Sequence, residues 1–342
     1  MNEYLASALL GLVQGLTEFL PVSSSGHLII TSSLMGFDSA RIKIFEVAIQ
    51  FGSILAVVLL YRRRFLELLF PEWTEHKEGV VRRLKKLALF VVPLFFLLLF
   101  SHGYIKKILA NPLPLYILLL AVFFPVLILV MLWQDRQSLF IKRFSGLRGL
   151  FLLFLTSLPA SLIGLFLHDY ITEYLFNPLS VAAALATGAL FILFAEYKAT
   201  KREKNAVQSP AVEELHSLDA ITPSVAFGVG CFQCLSLWPG FSRSTSTIMG
   251  GLLLGADRST AAEYSFIAAV PILAAATAFT LLKGFNHLST ADIPFFLVGT
   301  VMAFISALAA IKFFIGFVSR FSFRPFARYR LILAPLVFWF WS

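Results

Sequence analysis

Little of this sequence is charged. Asp, Glu, Lys and Arg make up 14% of its 342 residues, against roughly a quarter in a soluble domain. That deficit excludes a chain that meets water on every side. Cysteine is nearly missing: Cys231 and Cys234 are the only two, both in an apolar stretch. They cannot build a disulfide framework. A lone CxxC is a weak redox or metal signal, and packing is its plainer reading. Gly-rich nucleotide loops and zinc-spaced His and Cys groups are also absent. The start, Met1-Asn2-Glu3-Tyr4 running into apolar sequence as far as Leu20, lacks a basic leader. It therefore reads as a retained helix and not a cleavable signal peptide.

What the sequence does have is long apolar blocks. Hydrophobic residues make up 58% of the chain, mean hydropathy is +0.84, and about 20 apolar residues suffice to span the hydrocarbon as a helix. Full crossings are expected at 44–61, 87–105, 115–133, 149–167, 178–196, 260–283, 294–315 and 327–341. The net charge of +9 does not indicate a nucleic-acid partner, because the basic residues sit in short loops between apolar blocks, where they set orientation.

Two regions, 4–36 and 223–256, are apolar but broken in the middle. One carries Pro21-Val22-Ser23-Ser24-Ser25-Gly26-His27, the other Pro239-Gly240-Phe241-Ser242-Arg243-Ser244-Thr245. Broken backbone at membrane depth is tolerated only when buried in protein or lining a wet cavity. Each region is therefore read as a helix–turn–helix hairpin that enters and leaves on one side. With the first hairpin entering from outside and the second from inside, the loops assigned to the cytoplasm (62–86, 134–148, 197–222, 316–330) hold 20 Lys and Arg. The loops assigned outside (37–43, 101–114, 168–177, 284–293) hold 4. That asymmetry satisfies the positive-inside rule.

Pro21 precedes Glu46 by 25 residues and Pro239 precedes Glu263 by 24, in the same order of elements. The fold class is thus an all-α polytopic membrane protein with an inverted-topology repeat and two re-entrant hairpins. By segment, 1–342 is one integral membrane domain. The first hairpin and crossing occupy 1–75, and 76–145 is an insertion with two extra helices. Two core crossings and a cytoplasmic loop fill 146–222, and the second hairpin with three crossings fills 223–342.

Each turn opens into a helix whose free N–H groups and dipole favour an anion. Ser23, Ser24, Ser25, Ser242, Ser244, Thr245 and Thr247 add hydroxyls, and Arg243 adds a planar fork suited to phosphate oxygens. Hydroxyl clusters before helices are usually only N-caps. An arginine at membrane depth is more telling, since it costs roughly 2.5–3.5 kcal/mol on insertion scales and so normally has a partner or a task. Gln14 and Glu18 share one helix face. A carboxylate beside phosphate needs positive charge between them, either Arg243 or a hard divalent cation, magnesium or calcium, held by Glu18 with Gln14. His27 follows the serine run, where it can move a proton.

At these residues the sequence resembles the bacterial undecaprenyl-diphosphate phosphatases, also called bacitracin-resistance proteins. The matching stretches are Gly15 to His27 and Gly230 to Ser244, together with Phe45 to Ser53 and Ala262 to Phe266. The resemblance implies two interlocked inverted repeats and hydrolysis of C55 undecaprenyl diphosphate to the monophosphate. That reaction recycles the carrier for peptidoglycan synthesis and confers bacitracin resistance. It further implies a site open to the outer face of the bacterial inner membrane and a divalent cation. The family's functional positions carry over as Glu18, Ser24, His27, Ser242, Arg243 and Thr247. Gln14 departs from the pattern, relatives commonly having Glu there, and the 76–145 segment departs too.

The expected chemistry is attack by Ser24, or by a water it positions, with His27 handling the proton. Ser23, Ser25, Ser242, Arg243, Ser244 and Thr247 bind the diphosphate, and Glu18 with Gln14 holds the cation. Expected partners are the polyprenyl diphosphate, membrane lipids and a second copy in a homodimer. The competing reading is a transporter or flippase for an anionic lipid or small anion, for which broken helices serve equally well.

Overall fold

The computed structural model describes residues 2–36, 40–70, 143–208, 215–284 and 289–341. The crossings expected at 87–105 and 115–133 lie outside the described residues. The first helices are α1 (Glu3–Thr17), α2 (Ser24–Leu34), α3 (Ala40–Ala48), α4 (Gln50–Leu60), α5 (Arg62–Leu69) and α6 (Gly146–Tyr170). They are followed by α7 (Pro178–Gln208), α8 (Pro223–Gln233), α9 (Arg243–Leu253), α10 (Arg258–Gly284), α11 (Ile293–Val318) and α12 (Arg324–Trp341). One isolated bridge, Leu215 to Ala256, is the only β pairing among the described residues.

Among the described residues, four segments are long and apolar enough to cross a bilayer: Gly146–Gly164, Pro178–Asn205, Arg258–Ala278 and Thr290–Val318. The chain is a multi-pass membrane protein. The segments expected at 44–61 and 327–341 are helical too, as α3–α4 and α12.

Both broken regions are helical hairpins of short arms. At 1.5 Å per residue, the 15 residues of α1 reach about 22 Å and the 11 of α2 about 16 Å. Neither matches the roughly 30 Å of hydrocarbon, so the chain goes in and comes back. Local chemistry sets the ends. Asn2 caps α1 by accepting from Tyr4 N at 3.0 Å, and Thr222 caps α8, with Pro223 filling the first turn where no N–H is needed.

The chain divides into two compact units, Met1–Arg62 with Leu152–Ser342, and Arg63–Phe151. In the second, Leu68 and Phe144 are buried, and Leu68 packs against Gly149. In the first, α1 lies on α11 at backbone contact: a Cβ on Gly11 would collide with Gly299 O, and one on Gly15 with Ala303 O. Lipid tails are as apolar as leucine, so helices in a bilayer gain by such close approach of small residues. Leu10, Phe45, Ile49 and Phe295 complete this side. On the other side Ile29 of α2 packs with Val181 and Leu185 of α7 and with Leu333 and Val337 of α12. The first hairpin is thus gripped from both flanks, which fixes its tip.

Candidate active site

The two turns touch. Ser244 Oγ, in the first turn of α9, donates to Leu20 O at the tip of the first hairpin (2.8 Å). The same hydroxyl lies 3.0 Å from Ser242 Oγ. The short helices after the turns begin alike. Ser23 (φ 72°) caps α2 by accepting from Gly26 N, and Ser242 (φ 79°) caps α9 by accepting from Thr245 N. These are the only non-glycine residues with positive φ among the described residues.

Glu18 and Arg243 meet at the junction. Arg243 Nη2 donates to Glu18 Oε1 at 3.1 Å, with both side chains at least nine-tenths buried. The other carboxylate oxygen, Oε2, accepts from Gln14 Nε2 (2.9 Å) and Ser24 Oγ (2.8 Å). The guanidinium lies over the Phe19 ring, 5.2 Å from its centroid, and its Nη1 donates to Ser265 O. Two buried polar atoms here lack a hydrogen-bond partner: Arg243 Nε, a donor, and Gln14 Oε1, an acceptor. Buried polar atoms are rarely left unpaired, which makes these two candidates for contact with a ligand.

His27 faces the other way from Glu18. Its Nδ1 is 2.7 Å from Ser23 O, and its Nε2 is 2.6 Å from Tyr329 Oη. A carbonyl only accepts, so Nδ1 carries the proton and neutral Nε2 accepts from the tyrosine hydroxyl. His27 and Tyr329 belong to the lining of an apolar groove of about 590 Å³, together with Leu16, Leu20, Phe313 and Phe326.

The remaining sequence candidates separate by depth. Ser25 is exposed. Thr247 is buried behind Arg243, bonded to its carbonyl (2.9 Å) and to Ser265 Oγ (2.6 Å). Ser23 is buried under its cap, and Thr245 is buried with its hydroxyl turned to a residue the sequence reading passed over.

That residue is Arg330. The sequence reading counted it in the basic 316–330 loop, whereas the structure buries it completely. Its guanidinium donates to Thr245 Oγ1 (2.7 Å), Phe241 O (2.9 Å) and Gly240 O (3.1 Å) in the second turn. It reaches Pro21 O (3.5 Å) in the first turn, and Leu185 O (3.2 Å) and Ala184 O (3.3 Å) on α7. One cation therefore ties both tips to α7. A signal for it was present: Ala327, Arg330, Leu333, Ala334 and Val337 are the buried face of α12, a spacing of three and four that puts Arg330 in an apolar stripe.

A divalent cation fits the donors in kind. Glu18 offers a carboxylate and Gln14 Oε1 a free amide oxygen, both hard ligands. Among the described residues no cluster of three or more His, Cys, Asp or Glu exists.

Two guanidiniums buried at the junction, the N-termini of α2 and α9 and a hydroxyl tied to a carboxylate bring together donors suited to an anionic phosphate group. The comparisons with known proteins agree. The sequence matches the family described as Bacitracin resistance protein BacA over residues 7–145 and 127–336, and the chain belongs to that family. It is 46% identical over 342 residues to an undecaprenyl-diphosphatase of Maridesulfovibrio salexigens, covering all of both chains. It is 46% identical over 340 residues to one from Nitratidesulfovibrio vulgaris, covering 99% of each. With one from Lawsonia intracellularis it shares 41% identity over 338 residues, covering 99% of this chain and 98% of the other. These matches run end to end, so the 76–145 segment is common to this chain and these relatives.

Proposed function

We propose that this chain hydrolyses undecaprenyl diphosphate to undecaprenyl phosphate and inorganic phosphate. The observation that carries the reading is the Ser24–Glu18–Arg243 chain at the contact of two turns, with its two unpaired buried polar atoms. Arg243 and the N-termini of α2 and α9 hold the diphosphate, and the prenyl chain lies in the groove bordered by Leu16, Leu20, Phe313 and Phe326.

Ser24 attacks the terminal phosphorus. Its hydroxyl proton passes to Glu18 Oε2, to which it already donates. The new Oγ–P bond forms as the bond from that phosphorus to the bridging oxygen breaks. The leaving prenyl phosphate departs as an anion beside Arg243, and its tail lies in the groove that His27 and Tyr329 help to line. Water then hydrolyses the phosphoserine, with Glu18 as the acid–base group. A magnesium or calcium ion held by Glu18 and Gln14 would supply neutralisation of charge building on the phosphate oxygens.

The same reading puts the chain in the inner membrane of a bacterium with its site on the outer side, where spent carrier lipid is released, and the excess of Lys and Arg in the loops assigned to the cytoplasm supports that orientation. Returning the carrier to use accounts for bacitracin resistance, the property in the family's description. Transport of an anionic lipid needs no nucleophile paired with a base. The Ser24–Glu18 bond therefore favours hydrolysis.

The test is phosphate release from C55 diphosphate by the purified chain in detergent, where transport cannot score. Release is expected, with loss of at least about a hundredfold on Ser24→Ala, since general-base and nucleophile effects reach 10²–10⁴, and a similar loss on Arg243→Ala. Full turnover in either variant would refute the assignment.

A further inference from the structure

Away from the active site, where α11 turns into α12, the structure has a second polar cavity of about 330 Å³. This falls within the range of small-molecule sites, roughly 300–1,000 Å³. Arg258, Glu203, Arg320 and Arg324 line it, with Ser319 and Phe321 at its edge. None of these residues takes part in the diphosphate site.

Its charges do not balance. Glu196, fully buried, receives Arg258 Nε at 3.0 Å and Nη2 at 2.8 Å, and also accepts Phe323 N at 2.7 Å, capping the turn that opens α12. Glu203 pairs with Arg258 Nη1. Both carboxylates are therefore committed to Arg258. Arg320 and Arg324 are exposed on the rim, and no carboxylate pairs with either among the described residues. The cavity is thus an anion site by charge, and two guanidinium forks match phosphate oxygens in geometry.

The occupant must also be apolar at one end. Phe321 (58% exposed) stands at the mouth, and a ridge of rings runs from it along the last turns of α11. Phe317 lies 5.0 Å from Phe321, and Phe313 (64% exposed) lies 6.0 Å from Phe317. An anionic head beside an exposed aromatic ridge at the end of a membrane span describes a lipid lying in the leaflet. We propose that this cavity binds the phosphodiester headgroup of an anionic phospholipid. The phosphate sits between Arg320 and Arg324, and the acyl chains lie on the Phe317–Phe321 end of the ridge, clear of the prenyl groove. Arg324 is the first residue of α12, the helix that carries Tyr329 and Arg330 into the active site. A bound lipid therefore braces the base of that helix.

The experiment is native mass spectrometry of the full chain, delipidated and then titrated with phosphatidylglycerol or phosphatidylcholine, with thermal unfolding followed in parallel. Wild type is expected to retain phosphatidylglycerol preferentially and to unfold at higher temperature with it. Arg320→Gln and Arg324→Gln should each lower retention about fivefold, the usual effect of one basic side chain at an anionic lipid surface. Arg320→Lys/Arg324→Lys, which keeps the charge, should recover most of it and guards against a folding artefact. Equal retention of both lipids by wild type, or undiminished phosphatidylglycerol retention in the double Gln variant, overturns the proposal. A thermal shift given by inorganic phosphate alone, and not by the lipid, overturns it too.

Discussion

Arg330 is a buried cation surrounded by neutral oxygens. Glu18 already answers Arg243, and the groups that receive Arg330 are five carbonyls and one hydroxyl. Taking an ion out of water costs several kcal/mol even after relaxation, so the site carries positive charge in excess until an anion enters. Arg330→Gln strands several of those acceptors at about 1–3 kcal/mol for each left unpaired. It should lower the unfolding temperature and raise KM for the diphosphate substrate, with Arg330→Lys intermediate in both. A Gln variant with wild-type KM would show that the charge does not reach the substrate. Glu18→Gln acts in the opposite sense: it leaves Arg243 buried and unpaired, a loss of about 3–5 kcal/mol. That variant should be both unstable and inactive, measured by thermal unfolding and by phosphate release.

The two hairpins show what helical elements contribute beyond single side chains. Ser23 and Ser242 adopt a φ that glycine prefers, at about 1–3 kcal/mol each, and both keep a hydroxyl there. In Ser242 the hydroxyl caps α9 and continues through Ser244 to Leu20 O. Ser242→Gly relieves the backbone and weakens the cap by only a few tenths of a kcal/mol, but it cuts that chain. The expected result is an unfolding temperature within a few degrees of wild type and turnover down about tenfold or more; a stability loss without an activity loss would contradict it. The hairpins were legible because Pro21 and Pro239 interrupt apolar runs beside hydroxyl clusters, whereas the Glu18–Arg243 pair was legible only as one of two alternatives, the other being a cation beside Glu18. The bonds that join the tips were not legible, because they end on backbone carbonyls (Leu20, Phe241, Gly240), whose direction no residue type announces. Ser24 was expected to work with His27, and its hydroxyl instead donates to Glu18. The first turn of α2 sets which neighbour each side chain meets, and spacing along the chain does not resolve that.

At the scale of the whole chain, orientation decides which pool of lipid the enzyme acts on. The basic residues favour a cytoplasmic α11–α12 turn, and removing buried Arg330 from that count leaves the asymmetry standing, because Arg320, Arg324 and Arg328 are all exposed. The exposed end of α2 at Leu34 (65%) then lies toward the outside. In a Cys231→Ser/Cys234→Ser background, a membrane-impermeant maleimide should label Leu34→Cys in intact cells and Ser319→Cys only after permeabilisation. The reverse pattern would turn the diphosphate pocket toward the cytosol. The enzyme would then meet lipid diphosphate newly made inside the cell and not the spent carrier left outside, so the same hydrolysis would serve synthesis of the carrier and not its return. Geometry at the tips is indifferent to that choice, since Ser24, Glu18 and Arg243 work equally well either way up. The loop arginines favour the outward-facing choice, and this labelling experiment reads it.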